Sequence, residues 1–251
     1  MSAYAALTQA GFRAYTRDKT TLFFSFAFPL LFLVVFGLIF SGQDVDQSGK
    51  PYISYIAPGV LAWGVANSAV FWIGFVLMQW RRDDLLRLIR MTPTRLPTVL
   101  ASRYVLALAV GVAQTVLFVG VAMLPAFGLQ VDGRVLLIIP VLILGVTAFL
   151  ALGVIVGTYG KTPEAVAAIA NCIMVPMAFL SGAFFPIDAM PEWIQTGSRV
   201  LPLRWFNEGV SIALVGDGST LDVALACAGL TGFTVVFGLI ALRTFRWSDR
   251  A

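Results

Sequence analysis

Gly160-Lys161-Thr162 has the residue types that end a phosphate-binding loop, in which backbone N–H groups cradle phosphates and a lysine meets their charge. That loop needs another glycine five positions before its second one. The position here is Ile155, inside an apolar run that no strand precedes. The tripeptide is therefore not read as a nucleotide site, and any uphill work must draw its energy from a partner. The chain has no histidine, which removes His general bases, His metal ligands and Ser-His-Asp triads together. Cys172 and Cys227 lie singly inside apolar runs, where cysteine serves as a small packing residue rather than in a disulfide framework or metal site. No catalytic residue, no metal site and no cofactor bound by this chain is expected.

The densest charge is in Arg81-Arg82-Asp83-Asp84-Leu85-Leu86-Arg87-Leu88-Ile89-Arg90. Leu85, Leu88 and Ile89 share one face at helical spacing, so the stretch reads as a short amphipathic helix. Asp83 and Arg87 form an i,i+4 pair in the favoured order, worth about 0.3 kcal/mol. Asp83 and Asp84 sit near the helix start, where the macrodipole favours anions, and Pro93 and Pro97 are expected to end the helix. A basic segment can anchor a loop on anionic lipid. Two adjacent acids and an apolar ridge suit a protein groove better.

The elements that position these residues follow from composition. The chain is 59% hydrophobic and 12% charged, where a soluble domain is about a quarter charged; this places it in the membrane class. The net charge of +4 is spread along the chain and fits lipid headgroups rather than nucleic acid. Six apolar runs reach the roughly 20 residues a bilayer needs: 22–40, 56–80, 104–124, 135–157, 165–185 and 223–242. None alternates as barrel strands do, so all six are expected as helices, with Pro29 and Pro176 tolerated inside them. No short apolar core precedes the first run, which is not read as a cleaved leader. Residues 1–21 place Tyr4, Leu7, Gly11, Ala14 and Tyr15 along one side, as an interfacial helix does. Thirteen of the 17 Lys and Arg residues fall on the side that holds both termini; only Lys50, Arg134, Arg199 and Arg204 fall on the other. The rule that positive loops stay inside makes both termini cytoplasmic, the 81–103 loop cytoplasmic and the long 186–222 loop external. With no internal repeat or linker, residues 1–251 are read as one transmembrane domain.

No Asp, Glu, Lys or Arg lies at the centre of a run, which argues against ion coupling and against a charge-lined channel. Isolated polar groups remain, among them Asn67, Gln114 and Asn171. Each either bonds neighbouring helices, at about 1 kcal/mol, or lines a substrate path. These three and Phe179 are the pathway candidates. Gly153-x-x-x-Gly157 would let the fourth span pack closely. Beyond Phe179 the apolar run breaks at Pro186, and Pro191 suits the first turn of another helix. Met190, Trp193, Ile194, Gly197 and Leu201 follow helical spacing there, and Trp193 and Trp205 are aromatics of the kind found at a membrane surface.

Three segments stand in order along the chain: Arg17-Asp18 before span one; Arg82 to Thr92-Pro93 between spans two and three; and Leu180-Ser-Gly-Ala-Phe-Phe-Pro186, Met190-Pro191-x-Trp193 and Leu201-Pro202-Leu203. Together with six spans they resemble the membrane subunit of type-2 ABC transporters, the ABC-2 permeases, in the branch of bacterial drug-resistance and lipid or polysaccharide exporters, with Asp83-Asp84 where members often have Glu-x-Gly. The resemblance implies an all-α fold of six spans with an N-terminal interfacial helix and an external re-entrant helix between spans five and six. It implies a pore of two such subunits, the second a copy or a paralogue, in a bacterial cytoplasmic membrane, exporting an amphipathic drug-like or lipid-like substrate. A separate cytoplasmic ABC ATPase would bind ATP and Mg. Arg82, Asp83, Asp84, Leu85, Leu88 and Ile89 would couple to it, and Phe184, Phe185, Pro186, Pro191 and Trp193 would gate or cap the external exit. An ion-driven six-span carrier or channel is the alternative.

Overall fold

An apolar run in lipid can satisfy its backbone only internally, so each run becomes a helix. The computed structural model describes residues 3–39, 51–85, 88, 91, 96–216 and 218–245. Its helices are α1 (Ala3–Arg17), α2 (Lys19–Ile39), α3 (Tyr52–Arg82), α4 (Leu96–Ala122), α5 (Ile138–Tyr159, led in by the turn Val135–Leu137), α6 (Pro163–Leu180), α7 (Glu192–Ser198), α8 (Pro202–Val215) and α9 (Thr220–Thr244). Six of them, α2, α3, α4 from Ala101, α5 with its lead-in turn, α6 and α9, are long and apolar enough to cross a membrane. Lys50, Arg87, Arg90, Arg95, Arg246 and Arg250, used above to set orientation, lie outside the described residues, as does Phe40 at the end of the first run.

Helix ends depart from the apolar runs for local reasons. Asp18 interrupts α1 and caps α2: its carboxylate accepts from the Thr21 backbone N–H at 3.0 Å and from the Thr21 hydroxyl. Pro97 is the second residue of α4, where a missing N–H costs nothing. Residues 181–185 were placed in span five, but α6 stops at Leu180 because Gly182 takes a left-handed φ of 78° that continues no helix. Gly160-Lys161-Thr162 is the turn between α5 and α6, with the Thr162 hydroxyl capping the Ala165 N–H at 3.2 Å.

α3 is the central element and packs most extensively on α5. A Cβ on Gly157 would lie 2.8 Å from the Gly74 carbonyl oxygen, and one on Gly153 2.7 Å from that of Val70. The two backbones touch at these glycines. The 186–222 segment carries two α-helices where one was expected. α7 is exposed, with Trp193 73% accessible, but α8 enters the bundle and packs on α3, α5 and α9. Phe206 of α8 is fully buried, its ring centroid 6.0 Å from that of Phe149. Fourteen residues interrupted by Arg204, Asn207 and Glu208 are too short and too polar to register as a span. α2, α6 and α9 form the periphery and turn large apolar side chains such as Phe23, Val175 and Leu242 outward.

Candidate functional site

The junction after α3 is held by a buried arginine. Arg81, 4% exposed, donates from Nη2 to the Gly160 carbonyl at 2.9 Å and also reaches the carbonyls of Gly157 and Thr158. These are the last carbonyls of α5 and its end, groups with no helical partner of their own. A cation there also meets the negative end of the helix dipole. The last turn of α3 is thereby fastened to α5. Arg82 follows, exposed. The continuous amphipathic helix expected over 81–90 is broken: Asp83 closes α3 by donating its N–H to Gln79 O at 2.9 Å, and Asp84 has φ 54°. Aspartate tolerates that left-handed geometry better than most residues. The chain then turns helical again, with Leu88 N–H bonded to Asp84 O at 3.1 Å, so Asp84 starts this segment rather than lying within it. Leu85 and Leu88 are exposed, and Met91 more so. Ile89, Arg87 (and so the expected Asp83–Arg87 pair) and Pro93 lie outside the described residues.

At the opposite end of α3, three side chains grip the turn after α6. The Tyr52 hydroxyl donates to Phe184 O at 3.2 Å, Tyr55 reaches the carbonyls of Gly182 and Phe185, and Asn207 Nδ2 donates to Gly182 O at 3.0 Å. The turn is fixed from two helices. Phe184 is buried, stacked on Phe32 with centroids 5.6 Å apart and set edge-on to Trp63 at 5.3 Å. Phe185 stays exposed, stacked on Phe179 at 6.1 Å. Pro186 and Pro191 precede the single turn Ile187–Ala189 and α7, and Trp193 projects from α7.

A cleft of about 610 Å³ opens between α1, α2 and α3, walled largely by aromatic rings. Asn67 of α3 and Asn171 of α6 both line it. Gln114 does not: its Nε2 donates to Ser25 O at 2.6 Å and to Ser68 Oγ at 2.8 Å, joining α4 to α2 and α3. Phe179 lies with Phe184, away from the cleft lining. The four pathway candidates therefore separate into two cleft residues, one interhelical bolt and one member of an aromatic cluster. Tyr15 and Arg103 also line the cleft, where the sequence had offered Tyr15 only as part of the side of an interfacial helix. Burial pushes the Tyr15 hydroxyl above the ordinary tyrosine range. Arg103 counted as a loop charge in the sequence, but α4 begins before it and turns it inward. Tyr52 and Tyr55, one turn apart on a helix, were the legible hint of a shared polar task.

Six helices long and apolar enough to cross a membrane are those of a multi-pass membrane protein. The family model described as ABC-2 type transporter matches residues 2–215, and the chain belongs to that family. It is 26% identical to a daunorubicin resistance ABC transporter permease protein of Streptomyces coeruleorubidus, over 87% of this chain and 77% of that one. It is also 26% identical to an inner membrane transport permease of Escherichia coli K12, over 87% and 82% of the two chains. Nodulation protein J of Sinorhizobium fredii is 30% identical over 85% and 82%.

Proposed function

We propose that this permease is the membrane subunit of an ATP-driven exporter, energised by a separate cytoplasmic ABC ATPase that binds ATP and Mg. The observation that carries this reading is the exposed pair Leu85 and Leu88, set immediately beyond the anchored end of α3. An apolar ridge outside the bundle is costly unless a partner covers it. A push on it would pass through Arg81 into α5. Arg82, Asp83, Asp84 and Ile89 complete the docking segment in this reading.

The excess of Lys and Arg on one side supports cytoplasmic termini, and the similarity to an inner membrane transport permease supports a bacterial inner membrane. The turn at Phe184, Phe185 and Pro186, with Pro191 and Trp193 of α7, then lies at the external end and caps the exit. α8 is the re-entrant element. A second copy or a paralogous permease completes the pore. The cargo is amphipathic, drug-like or lipid-like; the aromatic cleft with Asn67 and Asn171 supports this, as does the daunorubicin resistance named in one relative.

Leu85→Asp tests the central point. The variant should insert and fold, yet lose transport while the co-expressed ATPase still hydrolyses ATP. Transport at the wild-type rate, or transport that needs no ATPase, would overturn the proposal.

A further inference from the structure

Arg103 is a cation that nothing in the described chain neutralises. It sits two residues inside the membrane-spanning part of α4, which begins at Ala101. Its guanidinium carbon lies 4.6 Å from the Trp80 ring centroid and 6.0 Å from that of Trp72. Its Nε is buried without a hydrogen-bond partner, and among the described residues it makes no ion pair. Asp18 lines the same cleft, but its carboxylate is taken up by Thr21. Gly11 of α1 makes room for the cation: a Cβ there would stand 3.2 Å from Arg103 Cζ.

A second polar group is stranded beside it. Tyr15 is 6% exposed, and its hydroxyl makes no hydrogen bond of normal geometry, although Ser25 lies nearby. Its ring meets Trp72 edge-on at 6.4 Å, so Tyr15 and Arg103 flank the same indole.

The chemistry of the missing partner follows. Indole rings attract the charge of a guanidinium but satisfy none of the N–H donors of its fork. That fork fits an oxyanion, and a neighbouring hydroxyl can donate a further bond to it. Basic pockets between spans near a membrane boundary take lipid phosphates for this reason. The remaining wall carries Phe24, Phe28, Phe71 and Phe75, which suit hydrocarbon, and the volume of about 610 Å³ far exceeds what a phosphate alone would fill.

We infer that Arg103 and the Tyr15 hydroxyl hold a phosphate in this cleft, the head of an amphiphile whose chain lies along the phenylalanines. The inference does not depend on the export reading, because the phosphate can belong to a resident phospholipid or to a phosphorylated solute that passes through.

The test uses the full-length protein in a non-ionic detergent, with tryptophan fluorescence as the readout, since Trp72 and Trp80 flank the cation. Three probes are titrated: dioctanoyl phosphatidylglycerol, dioctanoylglycerol and glycerol 3-phosphate. Wild type should bind the phosphatidylglycerol about tenfold more tightly than the phosphate-free dioctanoylglycerol, the effect of one charge-assisted contact. Arg103→Gln should remove that preference, and Tyr15→Phe should weaken it a few-fold. If glycerol 3-phosphate binds as well as the lipid, a soluble phosphate is the ligand; if it binds far more weakly, the lipid is. Equal binding of the two dioctanoyl lipids by wild type overturns the inference. So does an Arg103→Gln variant that keeps the preference. If Arg103→Gln does not fold, the wild-type comparison and the isosteric Tyr15→Phe decide.

Discussion

Two residues at the end of α3 do different work from neighbours of the same type. Asp84 holds φ at 54°, where a side chain branched at Cβ clashes with its own backbone. Asp84→Gly should leave thermal stability unchanged or slightly raised, whereas Asp84→Ile should cost about 1–2 kcal/mol, read as a lower unfolding midpoint in detergent. Arg81 reaches three carbonyls where Arg82 reaches into solvent. Removing a group so that buried acceptors are left bare costs about 1–3 kcal/mol. Arg81→Ala should therefore destabilise by about that much, while Arg82→Ala should be near neutral. Equal midpoints for the two variants would show that the clamp carries no weight. Both arginines are adjacent in the sequence and identical in type, and only the position of the α5 end distinguishes them.

At the scale of elements, the α3–α5 contact rests on glycine. A side chain at Gly157 meets the Gly74 backbone, which cannot rotate away as a side chain can. Gly157→Leu should therefore cost at least about 1–3 kcal/mol, the usual penalty of overpacking, and lower the yield of folded protein in the membrane. The start of α2 adds a pH-dependent term. Hydrogen bonds from the Thr21 hydroxyl and backbone hold the Asp18 carboxyl below the ordinary value of 3.8. A carboxylate with a depressed folded pKa contributes stability that is complete above its unfolded pKa and is lost as pH falls through the folded one. Asp18→Ala should thus lower stability by about 1 kcal/mol at neutral pH. The gap from wild type should begin to narrow as pH drops below 3.8 and close only below the lowered value of the folded carboxyl. Hydrogen exchange in the first turn of α2, measured at both pH values, reads this directly; a gap that persists in acid would assign the loss to something other than the cap.

At the scale of the whole molecule, α2, α6 and α9 present wide apolar faces, and lipid or a second subunit can cover each. Cys172 is exposed on α6, next to Asn171 of the cleft. In a Cys227→Ser background, a short bifunctional thiol reagent should link two copies through Cys172 if α6 faces its counterpart in the pore. Monomer alone, with Cys172 shown to react with a monofunctional reagent, would place α6 against lipid instead.

Much of this architecture could be read without coordinates. A hydrophobic run of membrane length has a single backbone solution, so six spans followed from composition, and the order of the segments around Arg17, Thr92-Pro93 and Pro186 carried the family. Helix ends were less legible, because apolarity marks what the bilayer covers while capping at Asp18, Asp84 and Gly182 is local hydrogen bonding and dihedral geometry. α8 escaped because, besides the adjacent α9, its apolar face packs on α3 and α5, which are distant in sequence, and no window along the chain contains them. The same holds for the charged residues. Sequence alone determined that Arg81 and Arg103 exist near span ends. The tertiary structure decided that one caps α5 and the other lies over the rings of two tryptophans, because the groups that surround each charge come from elsewhere in the chain.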